Sequence, residues 1–317
     1  MTFDLDAFVT AAVFDREGVA FALGNGIVAW AEAGRSDAHD GAILCAVVHP
    51  SGVGILTGGD DGRVVWSRRD GSEELACLKG QWIDAICASD ASGLIAFASG
   101  REVGVLDSRD RTFERRFPHP ASVAALAFDP KGRRLAAATY GGVALWYARI
   151  AEQAPVMLRW AGSHIAAAFS PDGRHLISSM QEGALHGWRL SDAMDMRMGG
   201  YPGKVRSLVF IAKGARLVTS GAQGAVVWPF SGGGPMGKQA MELGYDETAM
   251  VVCVAGDPAR ASFCAGLDDG RVWSCDLDSQ AITPLKTERG APISTLATSG
   301  NRIAWGDEAG KAGIVGI

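Results

Sequence analysis

The stretch VAALAFDPKGRRLAAATYGGVALW, residues 123–146, contains three short apolar runs separated by two groups of turn residues. Residues 9–30, VTAAVFDREGVAFALGNGIVAW, repeat the same arrangement closely. Apolar runs of roughly four to eight residues bounded by glycine, proline and aspartate are typical of β-strands, because the bounding residues form tight turns. Each stretch therefore predicts three antiparallel strands joined by turns.

The pattern recurs along the whole chain with a period of about 40 residues. Further copies, two of them weaker, occupy residues 43–66, 83–107, 165–188, 205–228, 251–276 and 293–317. Six copies contain a tryptophan near the end of the third run, and these are Trp30, Trp66, Trp146, Trp188, Trp228 and Trp273. We interpret them first as core residues, since a tryptophan buries a large apolar area. The eight predicted units cover residues 6–38, 39–78, 79–117, 118–158, 159–200, 201–243, 244–286, and 287–317 plus 2–5.

A weaker run follows most units, such as EELACL at residues 73–78, and supplies a fourth strand. Four-stranded antiparallel sheets repeated at this period cannot bury their faces alone, and radial stacking into a β-propeller solves the problem. We therefore predict an all-β fold and a single β-propeller domain over residues 1–317. Eight blades are favoured because the first unit has three complete strands; if that unit is a fragment, the propeller has seven.

The two ends of the chain give more detailed expectations. The last unit stops in a third strand, so residues 2–5 are expected to complete its blade as the outermost strand. Only 13 positions separate the tryptophan of the first unit from the first strand of the second, against 17 one unit later. The outermost strand of the first blade, near residues 32–37, is therefore expected to be short or absent.

Several segments resemble a known repeat family. HDGAILCAVVHPSG (39–52) and HPASVAALAFDPKG (119–132) combine a histidine, an apolar strand and a turn of the SPDG type. EGALHGW (182–188) and DGRVWSCDL (269–277) supply a last turn and a third strand. Together they resemble the WD40-repeat family, in a divergent form of bacterial type. The resemblance implies a β-propeller that serves as a protein-assembly platform.

The WD40 family often carries a buried, hydrogen-bonded set of His, Ser or Thr, Asp and Trp, and this sequence departs from it. The second unit has His39, Thr57 and Asp61, but Ser67 stands where the tryptophan of the family falls. The fourth unit keeps the histidine, the threonine and the tryptophan but lacks the aspartate. Apolar packing is therefore expected to contribute more to the stability of these blades.

Composition disfavours several classes of protein. The net charge of -5 gives no broad basic surface for nucleic acid. No uncharged apolar run approaches the roughly 18 residues of a membrane span, and the acidic start MTFDLD differs from a signal peptide. The six cysteines form no CxxC pair, which indicates buried, reduced thiols. We expect a cytoplasmic monomer that binds neither nucleic acid nor membrane.

Motifs for catalysis are weak. GGGPMGKQ at 232–239 has phosphate-loop spacing through Gly232, Gly237 and Lys238, but Gln239 replaces the required Ser or Thr and no helix is predicted after it. We interpret it as a long hairpin loop. The paired aspartates at 60–61 and 268–269 lie in predicted hairpin turns, where aspartate caps its own backbone. We therefore assign no catalytic, cofactor-binding or metal-binding residue and predict a protein that is not an enzyme.

Loops that lead into the first strands offer the best candidates for partner binding. Trp82 and Lys204 precede two of these strands, where other units mostly carry small residues, and Trp160 and Tyr201 lie in neighbouring loops. In the WD40 family these loops line one mouth of the central channel, and binding energy concentrates in aromatic anchors. The four residues are the predicted contact site for a protein or peptide. The alternative is that Trp82 or Trp160 fills the channel.

The predicted function is thus a non-catalytic protein-interaction scaffold. The alternative is a propeller enzyme, such as a hydrolase or lactonase with a metal at the channel, but the first strands begin with Ala, Val, Ile and Ser rather than with metal ligands. Two arginine pairs, at 68–69 and 115–116, are expected on outer strands or their turns, where charge protects a sheet edge. An acidic partner is the alternative reading of these pairs.

Overall fold

The computed structural model describes residues 1–316, which form thirty β-strands and one 3-10 turn at Ala212–Gly214. In chain order the first sixteen strands are β1 (Thr2–Asp4), β2 (Val9–Asp15), β3 (Gly18–Leu23), β4 (Ile27–Trp30), β5 (Gly34–Asp37), β6 (Ile43–Val48), β7 (Ile55–Gly59), β8 (Arg63–Arg68), β9 (Gly71–Cys77), β10 (Ala85–Ser89), β11 (Leu94–Ser99), β12 (Glu102–Asp107), β13 (Asp110–Pro118), β14 (Ala125–Phe128), β15 (Arg134–Tyr147) and β16 (Val156–Phe169). The others are β17 (His175–Met180), β18 (Ala184–Arg189), β19 (Met194–Met198), β20 (Leu208–Ile211), β21 (Arg216–Thr219), β22 (Ala225–Pro229), β23 (Met241–Leu243), β24 (Val251–Gly256), β25 (Ser262–Leu267), β26 (Val272–Asp276), β27 (Ile282–Lys286), β28 (Ile293–Ser299), β29 (Arg302–Asp307) and β30 (Lys311–Gly316).

The strands pair into antiparallel sheets, as the turn pattern predicts. Five sheets take four consecutive strands each, namely β2–β5, β6–β9, β10–β13, β20–β23 and β24–β27. The sheet with the order β1-β30-β29-β28 joins the beginning of the chain to its last three strands. The all-β propeller fold with four-stranded antiparallel blades is confirmed.

The prediction of eight blades is wrong and the alternative of seven is right in number, although not for the reason given, since residues 1–316 form seven sheets. Strands β14–β19 make one six-stranded sheet, in which β15 and β16 each run for 14 residues. Within β15 the predicted turn is itself paired, with Tyr140 opposite Ser163 and Gly142 opposite Arg159. The pairing therefore continues where a break was expected, and the fourth and fifth sequence units share a sheet. The first unit, whose completeness was in question, forms a full sheet of its own.

Both expectations about the ends of the chain are confirmed. Strand β1 pairs with β30 in the register Thr2↔Gly313 and Asp4↔Lys311, and so completes the last sheet from outside. The outermost strand of the first sheet, β5, has only four residues and is largely exposed. A short connection left too few residues for a longer strand.

Burial follows the position of each strand in its sheet. Every residue of the second strand β11, with the sequence LIAFAS, is buried, whereas the outermost strand β13 is mostly exposed. A continuous apolar run suits a strand that is covered on both faces. Of the six repeat tryptophans, Trp30, Trp146, Trp188 and Trp273 are buried, which confirms their core role, while Trp66 and Trp228 are half-buried.

By its contacts the chain divides into two compact units. One comprises Leu5–Ala167, and the other comprises Met1–Asp4 with Ala168–Ile317. In the first, Trp146 packs with Phe117 in an apolar cluster, their ring centroids 4.5 Å apart. In the second, Trp273 packs with Phe263, their centroids 5.7 Å apart. Among residues 1–316, no helix has the length and apolar character of a membrane-crossing segment.

Candidate interaction surface

Three of the four residues predicted to bind a partner, namely Trp82, Tyr201 and Lys204, precede the first strand of their sheet, at the edge here called the loop edge. Because successive strands alternate in direction, the loop before a first strand and the turn between the second and third strands lie at the same edge. In the unit Leu5–Ala167 the loop edge carries Trp82, before β10, and Tyr140, in the turn within β15. Trp82 is 61% exposed and Tyr140 is 71% exposed. Both aromatic rings are thus available to a partner.

The backbone directly after Trp82 is firmly held. The Ile83 amide donates to the Gly59 carbonyl at 3.0 Å, and the Asp84 amide donates to the Ala98 carbonyl at 3.0 Å. The side chain of Ile83 is fully buried. Trp82 therefore points into solvent from a fixed loop, so binding through it costs little ordering entropy.

The second predicted tryptophan, Trp160, is half-buried and lies within the continuous strand β16, so its prediction as a loop residue is wrong. Its carbonyl accepts a hydrogen bond from His164 Nε2 at 3.1 Å. Sequence reasoning selected Trp160 and missed Tyr140. An aromatic residue directly before the glycine pair of that turn, where other units carry small or flexible residues, was the available signal.

The other two predicted contact residues lie in the second unit. Tyr201 is half-buried, and its hydroxyl lies 2.7 Å from Thr219 Oγ1 and accepts from Trp228 Nε1 at 2.6 Å. Burial raises the pKa of Tyr201 to about 12, although both hydrogen bonds act in the opposite direction. Lys204 is exposed. Trp82 and Trp160 thus belong to one compact unit and Tyr201 and Lys204 to the other, and their joint role stays a prediction.

Buried histidines act as links within sheets. In the second sheet, His39 Nδ1 lies 2.9 Å from Asp61 Oδ1 and Nε2 lies 2.8 Å from Thr57 Oγ1. Burial lowers the pKa of His39 despite the nearby carboxylate. In the fourth unit, Trp146 Nε1 donates to His119 Nε2 at 3.0 Å. With both ring nitrogens of His39 engaged, the arrangement suits a structural link better than proton transfer.

The second aspartate of each acidic doublet caps its own turn, as predicted, whereas Asp268 holds the loop before β24. The amide of Arg63 donates to Asp61 at 3.0 Å, and the amide of Arg271 donates to Asp269 at 3.3 Å. Asp268 accepts from the Met250 amide at 2.9 Å. Within residues 1–316, no group of three or more His, Cys, Asp or Glu side chains is placed to hold a metal ion.

The phosphate-loop-like segment 232–239 lies between β22 and β23 and is followed by a strand. Its interpretation as a hairpin loop is confirmed. The Lys238 ammonium donates to the carbonyls of Ser231 and Gly234, the latter at 2.8 Å. Lys238, the residue that would bind a phosphate in a phosphate loop, therefore stabilises its own loop instead.

Arg115 and Arg116 lie on the outermost strand β13 and Arg69 in the turn between β8 and β9, as the sequence predicts, whereas Arg68 is the last residue of the third strand β8. Arg69 bonds to Asp15 at 2.9 Å, and Arg68 stacks over Trp66 with its guanidinium carbon 4.1 Å from the ring centroid. Arg116 bonds to Glu102 at 2.8 Å. These cations have intramolecular partners, which favours their structural interpretation over a surface for acidic partners.

A cavity of about 740 Å³ lies in the second unit beside β1 and β30. Trp305 forms part of its wall, with the Lys286 ammonium 5.3 Å from the ring centroid. Its lining mixes both charge signs, from Lys311 and Arg289 to Asp4 and Glu288. Sequence reasoning did not find this cavity, and its charges select no single class of ligand.

Comparison with known proteins supports the resemblance drawn from the sequence. The WD40 family model, described as WD domain, G-beta repeat, matches residues 33–66. This segment holds the outermost strand of the first sheet and the first three strands of the second. The crystal structure of the computationally designed Ika8 protein matches with a TM-score of 0.80 and 19% identity, covering 99% of this chain and 98% of that one. The WD40 resemblance is confirmed, and the structural match shows the fold.

Proposed function

We propose that this protein is a non-catalytic scaffold that presents loop-edge residues of a β-propeller to a protein or peptide partner. The observation that carries the proposal is Trp82, which is 61% exposed on a loop whose backbone is fixed by hydrogen bonds. Exposed aromatic side chains on rigid supports are the common anchors of protein interfaces. In the unit Leu5–Ala167, Trp82 and Trp160 are the proposed contacts, and Tyr140 joins them. Tyr201 and Lys204 are the proposed contacts of the other unit.

The chemistry of the described residues supports a binding role rather than catalysis. His39 and Asp61 bond to each other and to neighbouring groups, and Lys238 bonds to its own loop. The family resemblance points in the same direction, because WD40 propellers mostly serve as assembly platforms. A scaffold needs only exposed, well-held side chains, which this chain provides.

Affinity capture tests the proposal. The purified full chain is used to recover partners from the source cells, and the recovered partner is then measured against Trp82→Ala and Lys204→Glu variants. An interface anchor contributes about 2 kcal/mol or more, so we expect Trp82→Ala to weaken binding about 30-fold. Tyr147→Ala is the matched control, because Tyr147 is 53% exposed at the end of β15, away from the loop edge. Equal binding by the Trp82→Ala variant and the control would refute the proposed surface.

A further inference from the structure

A cavity of about 300 Å³ lies at the loop edge of the sheet β20–β23. The outermost strand β23 has three residues and pairs only with Ala225, Val226 and Val227 of β22. Trp228, the next residue, is therefore left without an outer neighbour in the sheet and lines the cavity with Tyr201. The cavity exists because the outermost strand is short.

The two aromatic rings are held in place by a chain of hydrogen bonds. Trp228 Nε1 donates to the Tyr201 hydroxyl at 2.6 Å, and this hydroxyl lies 2.7 Å from Thr219 Oγ1. Thr219 Oγ1 in turn donates to the Val226 carbonyl at 3.3 Å. Because each polar group has its partner, the rings are ordered before any ligand arrives, and binding need not order them.

Charge at the cavity has one sign. Of the residues that line it, all within the described part of the chain, Glu242 alone is charged. Its Oε1 accepts from the Gly224 amide at 2.8 Å, which keeps the carboxylate at the rim. A Cβ at position 224 would lie 2.7 Å from Glu242 Cγ, so glycine permits this placement. The cavity is therefore lined by two aromatic side chains and one carboxylate.

We infer that this cavity binds a cationic side chain, lysine or arginine, of the protein partner. A cation over the faces of Trp and Tyr is attracted by their ring quadrupoles, and the carboxylate complements its charge. The volume is at the lower end of the range for ligand sites, which suits one side chain rather than a whole cofactor. The inference rests on the proposed scaffold function and adds a chemical requirement for the partner.

The test uses n-butylammonium, an analogue of the lysine side chain, with the full-length protein labelled at its methionine methyl groups. Met241 lines the cavity, and its methyl resonance is assigned through the Met241→Leu variant. We expect a saturable shift of this resonance with n-butylammonium and none with n-butanol or butyrate. Glu242→Gln is expected to weaken binding about fivefold, as for a favourable exposed ion pair. Glu247→Gln, an exposed carboxylate outside the cavity, is expected to leave it unchanged.

Equal shifts with n-butylammonium and n-butanol, or equal binding by the Glu242→Gln and Glu247→Gln variants, would overturn the inference. If n-butylammonium fails to bind while Trp82→Ala still abolishes capture of the partner, only the cavity assignment is wrong. If n-butylammonium binds but Trp82→Ala and Lys204→Glu leave capture unchanged, the scaffold surface is wrong instead.

Discussion

Asp15 provides the sharpest test of how neighbouring sheets are held together in the unit Leu5–Ala167. Its carboxylate, with no exposed side-chain surface, joins the end of β2 to the second sheet. It accepts from the Gly54 amide at 2.9 Å, from the Glu17 amide at 2.9 Å and from Arg69 Nη1 at 2.9 Å. Asp15→Asn removes the charge and turns a hydrogen-bond donor toward groups that are themselves donors.

The expected cost follows from these contacts. Hydrogen bonds to a charged group contribute about 1.5–3 kcal/mol, and removing one partner of a buried ion pair costs about 3–5 kcal/mol. Arg69 keeps its 2.7 Å contact with Glu17 and is 22% exposed, so the cost falls toward the lower values. We expect Asp15→Asn to lower the free energy of unfolding by about 2–3 kcal/mol at pH 7.

The effect also has a predicted pH dependence. Burial alone would raise the pKa of Asp15, but hydrogen bonds from Arg69, Gly54 and Glu17 outweigh it and lower the pKa below its ordinary value. A lowered pKa in the folded protein stabilises it above the unfolded value of about 3.9, and this contribution is lost as the pH falls through the folded value. The difference between wild type and Asp15→Asn should therefore shrink below about pH 4.

Urea unfolding, followed by tryptophan fluorescence and circular dichroism at pH 7 and pH 3, measures both effects. Asp70→Asn is the matched control, since Asp70 is 80% exposed and pairs with Arg68 at 3.0 Å. An exposed pair contributes about 0–1 kcal/mol. If Asp15→Asn costs no more than Asp70→Asn at pH 7, or if its cost persists unchanged at pH 3, the reasoning fails.

Two further predictions follow from single side chains. Tyr201→Phe removes the hydroxyl between Thr219 and Trp228 and leaves the indole N–H unpaired, so it should lower the free energy of unfolding by about 1–3 kcal/mol. Urea titration measures this change, and an unchanged unfolding midpoint would contradict the proposed chain of hydrogen bonds. The expectation of buried thiols is wrong for Cys77, which is exposed, whereas burial raises the pKa of Cys45 to about 12 and of Cys275 to about 11. Ellman's reagent should therefore modify one of the six thiols in a fast kinetic phase in the native protein, and Cys77→Ser should abolish this phase. A fast phase that survives the substitution would show that another thiol is accessible.

Local sequence patterns were enough to predict most of the strands and how the two ends of the chain pair. The turn residues between apolar runs placed the hairpins, and the shortened connection after Trp30 predicted the short strand β5. The pairing of β1 with β30 followed from the position of the missing strand. These features depend on residues that are adjacent in sequence or on the number of strands, and both can be read from a single sequence.

Features that depend on contacts between distant segments were missed. The joined sheet arises because Tyr140 and Gly142 bond to β16, which no local pattern reports. Tyr201 was selected as an exposed aromatic residue, yet its hydroxyl lies in the sheet, bonded to Thr219 and Trp228. Here a tyrosine takes the place in which other units use a histidine. The residue type at one position cannot distinguish such a replacement from an exposed side chain that binds a partner.

The pairing of β1 with β30 has a consequence for how the protein is made. Thr2 lies opposite Gly313, so the last sheet joins segments separated by nearly the whole chain. On a ribosome, β1 emerges first and keeps its hydrogen-bonding groups in water until β30 has been synthesised. Contacts between such distant residues form slowly, because closing a long loop costs chain entropy before any pairing is gained. Completion of this sheet is therefore expected to be a late step of folding, which follows the synthesis of β30.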